Sequence, residues 1–140
     1  MLIALIANTL VVTVAVLIHY EALNLLSRLL PRFKIKARFI VAIGVLGSIA
    51  AHVTEILVFA AAFYVMIHRG DFGSLEGNIS GSYVDCIYFS MTNYTTIGYG
   101  DIEPLGHLRF LAGVEALTGL VLITWSASFM FIEMQKFWRR

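Results

Sequence analysis

Seven consecutive residues, Thr95-Thr96-Ile97-Gly98-Tyr99-Gly100-Asp101, carry the most specific chemistry in the chain. Glycine alternates with bulky residues here, a pattern unsuited to a tight turn or to a buried strand. Glycine reaches backbone angles with φ > 0 that other residues avoid. Alternating Gly with non-Gly therefore turns successive carbonyl oxygens the same way, toward one axis, and a stack of inward carbonyls replaces the water around a dehydrated cation. A second set consists of ionisable residues inside apolar stretches: His52 and Glu55, three apart and so on one helical face, and Glu115. Such residues are costly in a membrane span and face the protein interior.

Composition sets the medium in which these groups sit. The 140 residues are 59% hydrophobic with a mean hydropathy of +0.84, far above an ordinary soluble domain. The length allows about three bilayer spans with short connections. The single Cys86 excludes an intrachain disulfide, and nothing indicates nucleic-acid binding. There is no Gly-x-Ser-x-Gly, no paired-His metal motif and no phosphate loop, so no enzyme is expected. No helix carries arginine at every third position, so no voltage sensor is expected.

Met1–Ile18 is nearly all apolar. It lacks the basic start and small-residue cleavage site of a signal peptide, and we expect a retained first span in which Asn8 bonds a neighbouring helix. From Glu21 to Arg38 the chain changes character. Ala22, Leu25, Leu26, Leu29 and Leu30 fall on one helical face and Asn24, Ser27 and Arg28 on the other, predicting an amphipathic surface helix that Pro31 interrupts. Phe39–Ile67 is a second span, with Gly44, Gly47, Ser48 and Ala51 forming a small-residue stripe suited to close helix contact. His68–Gly81 is a glycine-rich polar loop. Ser82–Tyr94 reads as a short helix opened by a capping-box variant, Ser82 with Asp85. At about 12 residues it is too short to span, so it enters the membrane and stops, and its C-terminal dipole end favours cations. Arg109–Phe137 is the third span, followed by an aromatic and basic anchor, Trp138-Arg139-Arg140, with no cytoplasmic regulatory domain expected after it.

Charge orients these elements. Of the ten Lys and Arg, eight lie in residues 21–38 (Arg28, Arg32, Lys34, Lys36, Arg38) and in the C-terminal tail (Lys136, Arg139, Arg140). Two spans separate the two groups, which places them on one side, cytoplasmic by the positive-inside rule. The N-terminus is then outside and the glycine-alternating loop opens outward. The segment from His68 to Arg109 holds five acids, Asp71, Glu76, Asp85, Asp101 and Glu103, against two basic residues, and an acidic mouth concentrates cations.

The heptapeptide, its preceding short helix and the two flanking spans resemble the pore domain of the potassium channel family, in which four TVGYG loops lend carbonyls to the ion. Ile97 replaces Val. The resemblance covers roughly Phe39 to Phe137. It implies an all-α membrane protein of three transmembrane helices plus a re-entrant pore helix and selectivity-filter loop, assembled as a homotetramer in the bilayer of an inner or plasma membrane. It divides the chain into an N-terminal helix with a basic linker (1–38) and a pore domain (39–140). The implied function is passive, potassium-selective conduction without a cofactor; a weakly selective cation channel and a non-conducting membrane subunit are the alternatives. By resemblance the carbonyls of Thr96, Ile97, Gly98 and Tyr99 bind K+, Gly100 completes the filter, and the Thr96 hydroxyl adds a ring on the cavity side. Tyr99 points away from the axis, and Thr92, Thr95 and Asp101 support the filter. Several family members carry a carboxylate where Thr92 stands, and paired tryptophans are often seen where Tyr88 and Phe89 stand, so the brace behind this filter must differ. Gly119 sits where the family's inner helix bends, though it also continues a small-residue stripe with Ala112 and Ala116. Ile123, Ala127 and Phe131 follow it along the helix as candidate cavity-lining residues. For His52, Glu55 and Glu115, imagined as one cluster, three readings are open: a hydrogen-bonded brace, a proton-sensitive gate, or a metal site, for which His-x-x-Glu lacks a second histidine.

Overall fold

Three long apolar runs free of internal proline become three long helices. In the computed structural model, which describes residues 2–138, α1 spans Leu2–Leu29, α2 Ala37–Arg69 and α4 Leu108–Trp138. All three are long and apolar enough to cross a bilayer. Arg139 and Arg140 of the expected C-terminal anchor lie outside the described residues. Between α2 and α4 lie a short strand β1 (Leu75–Gly77), the 12-residue α3 (Tyr83–Tyr94) and a strand β2 (Ile102–Pro104). At about 1.5 Å per residue α3 is roughly 18 Å long, short of a hydrocarbon core of about 30 Å. The protein is a multi-pass helical membrane protein with one helix that does not cross.

The N-terminal segment departs from expectation. Instead of a span ending near Ile18 and a separate surface helix, α1 runs unbroken to Leu29 and closes in a 3-10 turn, Leu30–Arg32, where Pro31 ends the α-helical ladder. Its buried stripe is Ala4, Asn8, Ala15, His19, Leu23 and Leu26. Leu23, Leu26 and Leu30 pack with Ile40, while Leu25, expected on the apolar face, is 56% exposed. The later half of the helix keeps the face set by the earlier half, so it leans on the bundle. Asn8 is buried, but its side-chain amide meets no partner among the described residues.

Small residues set how closely the helices approach. A Cβ on Gly47 would lie 2.6 Å from Leu26 of α1, and one on Gly44 2.7 Å from Met130 of α4. The stripe expected on α2 thus receives both neighbouring helices. In the main core, α2 gives Phe59 and Phe63, α3 gives Phe89 and Tyr94, and α4 gives Leu108 and Leu111, all buried. The rings of Phe63 and Phe89 meet edge to face at 5.0 Å. The closest approach is at Gly119 on α4, where a Cβ would lie 2.1 Å from the Tyr94 carbonyl oxygen. The short helix therefore rests its last turn directly on the backbone of α4.

The sequence offers no periodicity for the two strands, which are three residues each. They pair antiparallel, with Leu75 opposite Pro104, Glu76 opposite Glu103 and Gly77 opposite Ile102. Gly77 has φ 118°, and a Cβ there would collide with the Asp101 carbonyl oxygen at 2.2 Å. Glycine is what lets the outer loop lie against the segment that follows the heptapeptide.

Replacing Gly119 by Ala forces a methyl group against the Tyr94 carbonyl. It is expected to cost about 1–3 kcal/mol by overpacking, read as a lowered thermal unfolding midpoint of the purified protein. An unchanged midpoint would show that α3 and α4 are not in this contact.

Candidate functional site

The last turn of α3 supplies the platform for the heptapeptide. Helix C-termini leave carbonyls without intrahelical partners, and here the loop itself uses them. The Thr92 carbonyl accepts from the amides of Ile97 (2.9 Å) and Gly98 (3.1 Å), and the Asn93 carbonyl accepts from Thr96 (2.9 Å). The chain then alternates. Thr96, Gly98 and Gly100 have φ of 60°, 49° and 77°, with Ile97 and Tyr99 between them at negative φ. Thr96 is the one non-glycine residue at positive φ among the described residues, a costly conformation for a β-branched side chain. Thr96 to Gly100 are all exposed in the single chain, Ile97 to 57% and Tyr99 to 69%. Tyr99 is therefore not received by its own short helix.

The flanking residues act through different atoms from those the sequence suggests. The Thr92 hydroxyl donates back to Phe89 O (3.0 Å) and the Thr95 hydroxyl to Met91 O (2.8 Å). Thr92 thus holds the loop by its carbonyl, not by its side chain. Asp101 is held by the Tyr88 hydroxyl at 2.8 Å, and its carbonyl accepts from Asn78 N at 3.0 Å. The hydrogen bond that the Tyr88 hydroxyl donates to the Asp101 carboxylate pushes this phenol above its usual pKa. Tyr88 is the side chain that reaches the loop's outer end.

The opposite end of α3 is closed by the predicted capping box. The Asp85 amide donates to Ser82 Oγ, and the Asp85 carboxylate accepts from the Ser82 amide. The Ser80 amide and hydroxyl donate to the same carboxylate oxygen at 2.9 and 2.6 Å. These hydrogen bonds, from Ser80 and then Ser82, hold the carboxyl down at about 2. An ionised Asp at the first turn complements the positive end of the helix dipole, and the negative end faces the heptapeptide.

His52, Glu55 and Glu115 do not meet as one cluster. The structure divides them into two, each fastened to α3. Glu115 is fully buried on α4; its Oε1 meets Ser90 Oγ, which also bonds the Ile56 carbonyl, and its Oε2 accepts from Asn93 Nδ2 at 2.6 Å. Asn93 Nδ2 also donates to Ala112 O (2.8 Å). Glu55 is fully buried on α2 and accepts from the Tyr94 hydroxyl, from His52 Nδ1 (3.2 Å) and from His19 Nδ1 (2.9 Å). The separation follows from geometry, because α3 inserts between α2 and α4 and presents Tyr94 to one and Asn93 to the other. His19 and Tyr94 were missed from the sequence. His19 has a signal in hindsight, as an ionisable residue on the stripe that carries Ala15 and Leu23. Gly119 lies beside Tyr94, as described above. Ile123, Ala127 and Phe131 are exposed along α4 in the single chain.

Comparison with known proteins bears on this arrangement. A family model described as "Ion channel" matches residues 51–136, from within α2 to near the end of α4. Over 54 residues the chain is 41% identical to the potassium channel protein kcv of Paramecium bursaria Chlorella virus 1, covering 34% of this chain and 57% of that protein. Over 85 residues it is 29% identical to the inward rectifier potassium channel Kirbac3.1 of Paramagnetospirillum magnetotacticum, covering 60% of this chain and 29% of that protein. The chain thus spans less than two thirds of the length of either relative. No solved structure matches it significantly.

The capping box gives a pH prediction. A carboxyl whose folded pKa is depressed contributes stability that is present above its ordinary value and lost as pH falls through the folded value. Asp85→Asn should therefore lower the unfolding midpoint at pH 7, and the gap from the native protein should close as pH falls from about 4 toward 2. A gap that persists at pH 2 would mean that the charge of Asp85 plays no part.

Proposed function

Because this chain belongs to the ion channel family, we propose that it is the subunit of a homotetrameric, potassium-selective channel that conducts passively, without a cofactor. The observation that carries this reading is the alternation of positive φ at Thr96, Gly98 and Gly100 in a loop seated on the end of a non-spanning helix. Alternation of this kind supports the reading that the carbonyls of Thr96, Ile97, Gly98 and Tyr99 turn one way, as a K+ filter requires. One chain supplies one filter strand. The exposure of Ile97 and Tyr99, and of Ile123, Ala127 and Phe131 on α4, fits faces that further subunits complete around a cyclic axis.

In this reading residues 39–140 form the pore domain, and residues 1–38 an added helix with a basic linker. The membrane is an inner or plasma membrane, with the N-terminus outside and the C-terminus cytoplasmic on the charge balance of the connecting segments. Thr92 supports the filter through its carbonyl, Thr95 caps the short helix, and Asp101 is braced by Tyr88. Gly119 lets the inner helix pass the end of the pore helix; its contact with Tyr94 supports a packing role, and bending at the same point adds a hinge.

Ion flux from proteoliposomes tests the proposal. Potassium and rubidium are expected to permeate with little sodium. Permeation of all three would replace the proposal with a weakly selective channel, and no flux from a verified tetramer would replace it with a non-conducting subunit.

The Tyr88 brace makes a finer prediction. Tyr88→Phe removes a hydrogen bond worth about 1 kcal/mol, so current during sustained opening should decay roughly fivefold faster. Selectivity in the first milliseconds should be unchanged. Unaltered decay would assign the brace elsewhere.

A further inference from the structure

The histidine that His-x-x-Glu lacked on its own helix is supplied by α1. His19, His52 and Glu55 each offer a ligand atom, and these atoms lie within 4.8 Å of one another. His19 and Glu55 are wholly buried, while the His52 side chain is 16% exposed and marks the side open to entry. We propose that these three residues bind one transition-metal dication of the Zn2+ type, joining α1 to α2 directly behind the last residue of the pore helix.

Geometry, charge and ligand orientation support the site independently. Four-coordinate Zn2+ takes imidazole nitrogen and carboxylate oxygen at about 2.0–2.1 Å, so the edges of its tetrahedron are roughly 3.3 Å. His19 Nδ1 lies 2.9 Å from Glu55 Oε1 and His52 Nδ1 lies 3.2 Å from Glu55 Oε2, so the two imidazoles meet the two oxygens of one carboxylate. A metal would draw three ligand atoms that now lie within 4.8 Å of one another onto edges of about 3.3 Å and displace the Nδ1 protons. Two histidines and one glutamate form a three-ligand set of the kind that leaves a fourth position open, and the Tyr94 hydroxyl lies beside it, 3.0 Å from His52 Nδ1. The charge argument is that a buried carboxylate needs a positive partner. No Lys or Arg pairs with Glu55 among the described residues; its partners are the two imidazoles and a phenol.

Orientation comes from α4. Ser126 Oγ lies 3.4 Å from His19 Nε2. When Nδ1 gives its electron pair to a metal, the proton moves to Nε2, and Ser126 accepts it in a hydrogen bond. Such outer partners fix the tautomer of a ligating histidine. The Trp125 ring, with its centroid 5.2 Å from that of His19, holds the imidazole from one side. Metal binding would lock α1, α2 and, through Tyr94, the base of the Thr95–Asp101 loop into one unit.

The test uses the purified full-length chain in detergent micelles, with no ionic current needed. Zn2+ titration by calorimetry should give one site per subunit, and Co2+ should develop the intense visible bands of a tetrahedral ion, displaced by Zn2+. His52→Gln and Glu55→Gln should abolish both signals in samples that elute as the native protein does. Ser126→Ala should weaken binding by roughly 10–100-fold. Should the glutamine variants fail to fold, X-ray absorption on the native Zn2+ complex decides: two imidazole ligands are expected. A folded native protein that shows no Zn2+ heat and no Co2+ bands would overturn the proposal, leaving a network that holds protons only. Uptake that persists in both glutamine variants, or a metal bound by other than two imidazoles, would overturn it in favour of a site elsewhere, such as His68 or His107.

Discussion

A helix that enters an apolar layer and stops there leaves carbonyls that no water reaches, and the chain that follows it has unpaired amides of its own. In hydrocarbon both sets must be satisfied within the protein. The pairing of the Thr92 carbonyl with Ile97 N and Gly98 N meets both needs at once. Everything around it keeps that junction in place. Ser82 and Asp85 close the far end of α3, Glu115 holds Ser90 and Asn93, Glu55 holds Tyr94, and Gly119 lets α4 touch the Tyr94 carbonyl. The two fully buried carboxylates, Glu55 and Glu115, make sense in this light: each stands on a spanning helix and receives polar hydrogens from the helix that does not span. The oxygens of each are met by several hydrogen bonds, with no lysine or arginine among their partners in the described residues.

Much of this was legible in the sequence because it rests on local rules. Span lengths follow from apolar runs, the start of α3 from Ser82 and Asp85, and the heptapeptide backbone from glycine alternation. The expected bounds of α2, α3 and α4 lie within two residues of those observed. What was not legible depends on which side chains meet across the bundle. A residue such as His19 appears in sequence as one polar interruption in an apolar helix. Only the packing of α1 on α2 brings it to Glu55, 36 positions away. Tyr94 reads as an ordinary aromatic, and its hydroxyl gains meaning from Glu55. The division of Glu55 and Glu115 into separate clusters depends on α3 lying between their helices, which no spacing encodes.

The N-terminal helix shows a different limit. Polar residues from Glu21 onward suggested a surface helix, because amphipathicity says that a helix has two faces without saying what covers the apolar one. The continuation of one buried stripe from Ala15 through Leu30 decides it here, with the bundle as the covering surface. Among the described residues only Asn8 on this helix buries a polar side chain and finds no bonding partner for it.

The two-stranded sheet beyond the heptapeptide has a mechanical meaning. The loop resembles a string clamped at both ends: at its base by the Thr92 carbonyl, and beyond Asp101 by the pairing of Gly77 with Ile102 and by Tyr88. A clamped string moves most at its middle, and the middle here is the stretch beyond the Gly98 amide, Tyr99-Gly100. Around Gly98 and Gly100 no atom of the chain would meet an added Cβ within 4 Å. Rotation of a single peptide plane between the clamps therefore meets little steric resistance within the subunit. The softest coordinate of the loop is thus the direction in which those carbonyls point.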